Sequence, residues 1–203
     1  MIRNLFEQVN HSYALELLKE GNMRYVEDKP QFVSDLAEAR RMLAEKGQVP
    51  FAVILCCSDS RVPPEIIFDV NVGQIFVVRS AGNVADAVAV GSVEYAVEHL
   101  HAQLVVVLGH DKCGAVVAAI SGGDFGPNIG AIINEIKPSI EKLHDSANDD
   151  PAVFLSKCED ENIRNTAVKL ADSIILKKHI SEGVLKIVCA KYSLETGEVS
   201  FLS

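Results

Sequence analysis

The chain has 203 residues, 48% of them apolar and 23% charged, which supports a buried core and excludes disordered, fibrous and low-complexity architectures. Its 28 acidic side chains outnumber 19 basic ones, giving a net charge of −9, and aromatics reach only 6% with no Trp. Such a surface repels phosphate backbones and anionic membranes and offers few platforms for stacked bases, so nucleic-acid and membrane partners are set aside.

No apolar run approaches the ~20 residues that span a bilayer, and residues 1–8 lack the apolar stretch of a signal peptide. The five cysteines are Cys56, Cys57, Cys113, Cys158 and Cys189. An odd number with one adjacent pair makes a poor disulfide framework, so the expected setting is the reducing cytoplasm. There, a Cys near His or Asp points to metal binding or catalysis.

In chain order, residues 9–27 read as an amphipathic helix with Ala14, Leu17, Leu18 and Gly21 on one face. Ser34 is the expected cap of a second helix, which carries Leu36, Ala39 and Leu43 on one face and stops at Gly47. From Pro50 the texture changes to unbroken apolar runs at 51–56, 74–78, 104–108 and 184–189. Runs without alternation indicate strands buried on both faces, hence a parallel sheet covered by helices. Helical stretches at 86–100, 113–121, 129–144 and 161–181 separate them, as an α/β fold with right-handed crossovers requires. A short strand at 199–202, after the turn at Thr196-Gly197, is expected to pair antiparallel at the edge. The acidic, polar stretch 145–162 reads as a linker between two helices. The expectation is a mostly parallel sheet of four strands plus this edge strand, in one domain over 1–203: a helical arm over 1–46 and an α/β core over 47–203.

Open parallel sheets bind ligands at the carboxyl ends of their strands. The first run ends in Cys56-Cys57-Ser58-Asp59-Ser60-Arg61 and the third in Gly109-His110-Asp111-Lys112-Cys113-Gly114. If those strands are neighbours, Cys57, His110 and Cys113 converge. Two thiolates and an imidazole with a fourth position open form the catalytic zinc pattern, and sulfur ligands favour zinc over magnesium or calcium. Cys56, Cys158 and Cys189 read as core packing. His11, His144 and His179 read as solvated, while His99 and His101 suit a helix C-terminus. Competing motifs fail on spacing. The cysteine-phosphatase loop is short by one or two residues, no phosphate-binding glycine loop or nucleophile elbow exists, and Asp124-Phe125-Gly126 lacks its kinase partners.

Cys57-x-Asp59-Ser60-Arg61 followed by His110-x-x-Cys113-Gly114 closely resembles the β-class carbonic anhydrases. Val62-Pro63-Pro64, the run from Val77 to Asn83, the run from Gly91 to Val97 and Val107 to His110 resemble them too, densely over about 45–120. The resemblance implies a zinc lyase (a carbonate dehydratase) with one Zn2+ per chain on Cys57, His110 and Cys113. It implies reversible hydration of CO2 to bicarbonate and a proton by a zinc-bound hydroxide, assisted by an Asp59/Arg61 dyad. It also implies a small pocket including Gln48, Phe76, Tyr95 and Gly114, with Phe76 and Tyr95 contributed across a dimer. The N-terminal helices would then pack on a partner in a homodimer or dimer of dimers. Two positions depart from the family pattern: Gln74, where an acidic residue is expected after Gly73, and Asp111 after the ligand His.

Two thiolates donate more charge than imidazoles and weaken the metal as an acid, so other groups must hold the hydroxide form. Asp59, fixed by the planar fork of Arg61, can accept the hydroxide's proton in a hydrogen bond. Family members in which this carboxylate shuts the site often have a Trp in a bicarbonate pocket; this chain has none, so the resemblance implies an open, water-bound site over one shut by Asp59. Hydrolysis of carbonyl sulfide or carbon disulfide at the same ligands is the alternative, since zinc hydroxide adds to any small linear heterocumulene. A non-enzymatic zinc or redox-sensing module is the second alternative. A buried Asp59–Arg61 pair and the opposite orientation of Cys56 argue against it.

Overall fold

The computed structural model describes residues 7–31, 36–143, 146 and 149–202. Five strands form one sheet in the order β2-β1-β3-β4-β5: β1 (Ala52–Cys57), β2 (Ile75–Ser80), β3 (Leu104–His110), β4 (Lys186–Tyr192) and β5 (Val199–Leu202). All pairings are parallel except β4 with β5. Every residue of β1 and β3 is buried, as expected of unbroken apolar runs. Because side chains alternate along a strand, each run feeds two cores. Ile54, Cys56, Val106 and Leu108 face one side, with Phe68 and Leu18. Val53, Leu55, Val105 and Val107 face the other, with Val93, Ile163 and Leu170.

The helices are α1 (His11–Val26), α2 (Leu36–Lys46), α3 (Pro64–Ile67), α4 (Ala87–Leu100), α5 (Gly114–Ser121), α6 (Gly126–Glu141), α7 (Pro151–Ala171) and α8 (Ile174–Ser181), with a short 3-10 turn at Ala81–Asn83. Asn10 caps α1 by accepting the Tyr13 amide, and Ala14, Leu18, Gly21 and Asn22 form its buried face. A Cβ at Gly21 would run into the Phe68 carbonyl, so a glycine is what lets α1 lie this close to α3. Asn22 ties that helix to the chain's other end, donating to Ile67 O and Gly197 O while accepting from Val199 N. Ser34, the expected cap of α2, lies outside the described residues; so does His144.

Three expectations need correction. The stretch 145–162 is mostly helix, since α7 begins at Pro151. Asp150 caps it by accepting the Ala152 and Val153 amides, so the acidic residues that resemble a linker include a helix start signal. The expected helix 161–181 is two, because Ser173 accepts the Leu176 amide and starts α8 afresh. His179 is not simply solvated but sits 2.6 Å from the Glu98 carboxylate. The strands also run further than their apolar runs, to Cys57, Ser80 and His110, and these extensions carry the site.

Candidate metal centre

β1 and β3 are adjacent and level, with Cys56 paired to Leu108. Cys57 therefore ends one strand beside the end of the other, where His110 sits. Lys112 turns the chain at φ +53°, a conformation rare outside glycine, and Cys113 becomes the residue that caps α5. The ligand-type atoms of Cys57, His110 and Cys113 all lie within 4.8 Å of one another, and the residues are 5%, 1% and 2% exposed. Cys56 packs in the core on the opposite face.

His110 Nδ1 lies 2.7 Å from the Asp111 carbonyl, which can only accept, so Nδ1 carries the proton. Nε2 is then a lone pair, buried and without a hydrogen-bond partner among the described residues. An imidazole nitrogen facing two thiols fits a soft-ligand cation.

Cys57 accepts the Gly82 amide at 3.3 Å. A hydrogen bond from Cys113 overcomes burial and, with the imidazole and backbone amides, pulls the Cys57 pKa down to about 4. The same bond, followed by burial, pushes Cys113 up. Within the pair, Cys57 is the thiol that ionises more readily. Burial lowers the His110 pKa, but the Cys57 thiolate outweighs it and raises the net value.

Asp59 and Arg61 form a clamp. Arg61 donates from its backbone N and Nε to Asp59 Oδ1, both at 2.9 Å, and from Nη2 to Oδ2 at 2.7 Å. The guanidinium holds the carboxyl well below the usual carboxylate range, and Oδ2 stands 3.9 Å from His110 Nε2. The pair is not buried as expected: the Arg61 side chain is 55% exposed, against 18% for Asp59. Arg79 of β2 fixes the loop from behind, donating to the carbonyls of Cys57 at 3.2 Å and Asp59 at 2.7 Å.

Among the expected pocket residues, Gly114 opens α5 directly after Cys113. Gln48 lies exposed before β1. Phe76 and Tyr95 stand together on the outer face of β2 and α4, with ring centroids 6.4 Å apart. Phe76 also lines a groove of about 380 Å³ along β2, with Arg79, Ser80, Asp86 and Val88. Gln74 and Asp111, the two departures, are structural acceptors for the amides of Asn71 and Leu194.

Sequence reasoning missed Arg79, Glu159 and Asn162. Glu159 is 3% exposed, accepts the Cys113 amide at 3.1 Å and pairs with Lys191 at 2.9 Å. Asp160 pairs with the same Lys at 3.0 Å. Burial alone would lower the Lys191 pKa, but the two carboxylates raise it above the ordinary 10.5. A raised lysine contributes stability that is fully present below the unfolded value and lost as pH climbs through the folded one. The melting-temperature gap between wild type and Lys191→Met should therefore stay constant from neutral pH to about 10 and close above it. A gap that shrinks already near neutrality in dichroism melts would contradict this ion pairing.

This sheet order, with two cysteines and one histidine converging beyond adjacent strand ends, defines an α/β protein with a three-residue cluster that could hold a metal ion. A family model described as carbonic anhydrase matches residues 52–199. Carbonic anhydrase 2 of Mycobacterium tuberculosis is 40% identical over 185 residues, covering 91% of this chain and 89% of that protein. The carbonic anhydrase of Mycolicibacterium smegmatis is 37% identical over 194 residues, covering 94% and 92%. The crystal structure of the β-carbonic anhydrase CafA of Aspergillus fumigatus matches with a TM-score of 0.76 at 26% identity, over 95% of this chain and 90% of that one. The chain belongs to the carbonic anhydrase family, in its β class, and is an enzyme of that class.

Proposed function

We propose that Cys57, His110 and Cys113 hold one zinc ion per chain and that the enzyme hydrates CO2 reversibly to bicarbonate and a proton, with Asp59 and Arg61 as a working pair. The observation that carries this reading is the partnerless His110 Nε2, facing two thiols inside a 4.8 Å cluster with the clamped Asp59 carboxylate 3.9 Å away. Zinc there would supply a Lewis acid that makes hydroxide available near neutral pH, an effect for which carbonic anhydrase is itself the standard example.

The chain's own groups supply orientation. Asp59, held at both oxygens, accepts a hydrogen bond from a water entering beside the centre and so aims that water's lone pair at the substrate. Arg61 keeps the carboxylate ionised and aligned. Gln48 donates to a substrate oxygen as charge develops there. Gly114, with no side chain, leaves room beside Cys113.

Phe76 and Tyr95 act from the face that meets a second copy. β2 is an open sheet edge, and beside it Val88 is 76% and Tyr95 51% exposed. An unpaired edge flanked by apolar side chains suits a homodimer, whose pairing would give a dimer of dimers its unit. Within the arm over 1–46, α1 packs its buried face on this chain's own core, and the core over 47–203 carries the site, in one domain. No single described helix is long and apolar enough to cross a membrane, and we read the enzyme as cytoplasmic.

The test is stopped-flow CO2 hydration on metal-quantified protein from neutral to alkaline pH. Rates should scale with zinc content up to one per chain. Zinc-loaded protein with no hydration at any pH would refute the substrate, and carbonyl sulfide and carbon disulfide would be assayed next.

A further inference from the structure

Helix α7 reaches the metal centre without contributing a ligand. Glu159 and Asn162 lie three residues apart on its buried face, at 3% and 1% exposure, a spacing that puts them on neighbouring turns of one side. Glu159 Oε1 accepts the Cys113 amide at 3.1 Å. Asn162 Nδ2 donates to the Gly82 carbonyl at 2.8 Å, and Gly82 in turn donates its own N–H to Cys57 Sγ at 3.3 Å. One helix face thus grips the backbone behind each of the two thiols.

These contacts are anchored and costly to keep. The second oxygen of Glu159 is paired with Lys191 of β4, which is also held by Asp160 and by the Ser156 carbonyl and hydroxyl. Lys191 is the register partner of Gly109, the residue before His110. Asn162 Oδ1 is buried with no partner among the described residues, so the bond to Gly82 is its side chain's one hydrogen bond there. A buried amide half unsatisfied is poor core material and needs a local reason. Gly82 supplies one. It sits at φ +70°, where a Cβ would come within 2.8 Å of Ile136, and its amide is correctly aimed at the Cys57 sulfur only while that conformation is held.

We propose that Glu159 and Asn162 are positioning residues of the metal centre, Glu159 placing Cys113 through its amide and Asn162 placing Cys57 through Gly82; the role rests on the metal-site reading above. Neither touches a reacting atom. They set where the two sulfurs stand before any cation arrives, and partners of this kind change metal affinity by roughly 10–100-fold when removed.

The test uses the full chain, titrated with zinc against a chromophoric chelator and with Co(II) followed by its thiolate charge-transfer bands. Glu159→Ala and Asn162→Ala should each weaken zinc binding by about 10–100-fold and shift the Co(II) bands. Glu159→Gln combined with Lys191→Met keeps an acceptor for the Cys113 amide while removing both charges, and should bind zinc within a few-fold of wild type. If Glu159→Ala fails to fold, that double variant and Asn162→Ala decide the matter. Variants that lose stability in urea but keep wild-type zinc affinity and unchanged bands would overturn the proposal. A wild type that gives no thiolate–Co(II) band would overturn the metal-site reading and this proposal with it.

Discussion

Replacing Cys57 with Ser should give a folded chain that no longer retains zinc and hydrates CO2 at the uncatalysed rate. Cys57 ends a strand whose other residues pack in the two cores, so exchanging sulfur for oxygen at its tip leaves the sheet intact. The chemistry changes completely. Hydrogen bonds from Cys113, His110 and backbone amides pull the Cys57 thiol well below its ordinary pKa, whereas a serine hydroxyl stays protonated at neutral pH and is a hard, weak donor for zinc. The fall in affinity should exceed the roughly 10–100-fold that removal of a ligand's hydrogen-bonding partner costs. Cys56→Ala is the internal control. Its thiol, one residue earlier, faces the opposite core, and burial pushes its pKa up to about 12; zinc content and activity should be unchanged. Metal analysis after chelator challenge, with dichroism for the fold, separates the two. Equal zinc retention by Cys57→Ser and wild type would defeat the ligand assignment.

Asp59→Ala should keep its zinc and lose rate. The carboxylate reaches the centre only through Oδ2, 3.9 Å from His110 Nε2, so its removal spares the three ligands. What disappears is the acceptor proposed to orient the incoming water. A positioned acid–base group contributes about 10²–10⁴-fold, and kcat/KM should fall within that range. Arg61→Ala should cost about 10–100-fold, since Asp59 keeps its charge but loses the fork that aims it. Because the two act as one unit, the double variant should be no slower than Asp59→Ala alone. Additive losses in the double variant would mean that Arg61 has a separate role, and full activity in Asp59→Ala would remove the dyad altogether.

Much of this architecture was legible because the strands carry their own signature. Val53 to Cys56 and Leu104 to Leu108 are apolar without alternation, and only burial on both faces explains such runs. Cys57, His110 and Cys113 were legible for the same reason: they follow directly where those runs stop, and parallel strands deliver their ends to one place. The first half of helix α7 was not legible; its residues 161–171 fall within the expected helix 161–181. Its buried residues include Glu159, Asn162 and Thr166, so polar groups occupy the face where periodicity looks for apolar ones, and the acidic approach through Asp149 and Asp150 reads as solvated chain. Polar residues serve the centre and Lys191 there, and service of that kind erases the amphipathic pattern. Arg79 sat in a stretch that resembles the family, but only its side-chain bonds to two carbonyls reveal a task. The exposure of Arg61 was equally invisible, because residue type says nothing about which side of a pair faces water.

The neighbouring cysteines on opposite faces of β1 have a kinetic consequence. Slipping β1 by one residue against β3 would exchange Cys57 for Cys56 at the centre and send every side chain of β1 into the opposite core. The three donors come from positions 57, 110 and 113, and a parallel strand pairing with a long intervening crossover must close before they meet. Non-local closure of this kind is slow and is completed late in folding. Before it closes, the chain offers a cation only the short-range His110–Cys113 pair, which is a weak grip. On the proposed metal-site reading, capture would therefore act as proofreading: the ion would be held tightly only by a chain whose register is right, and by mass action it would then keep that register from being lost.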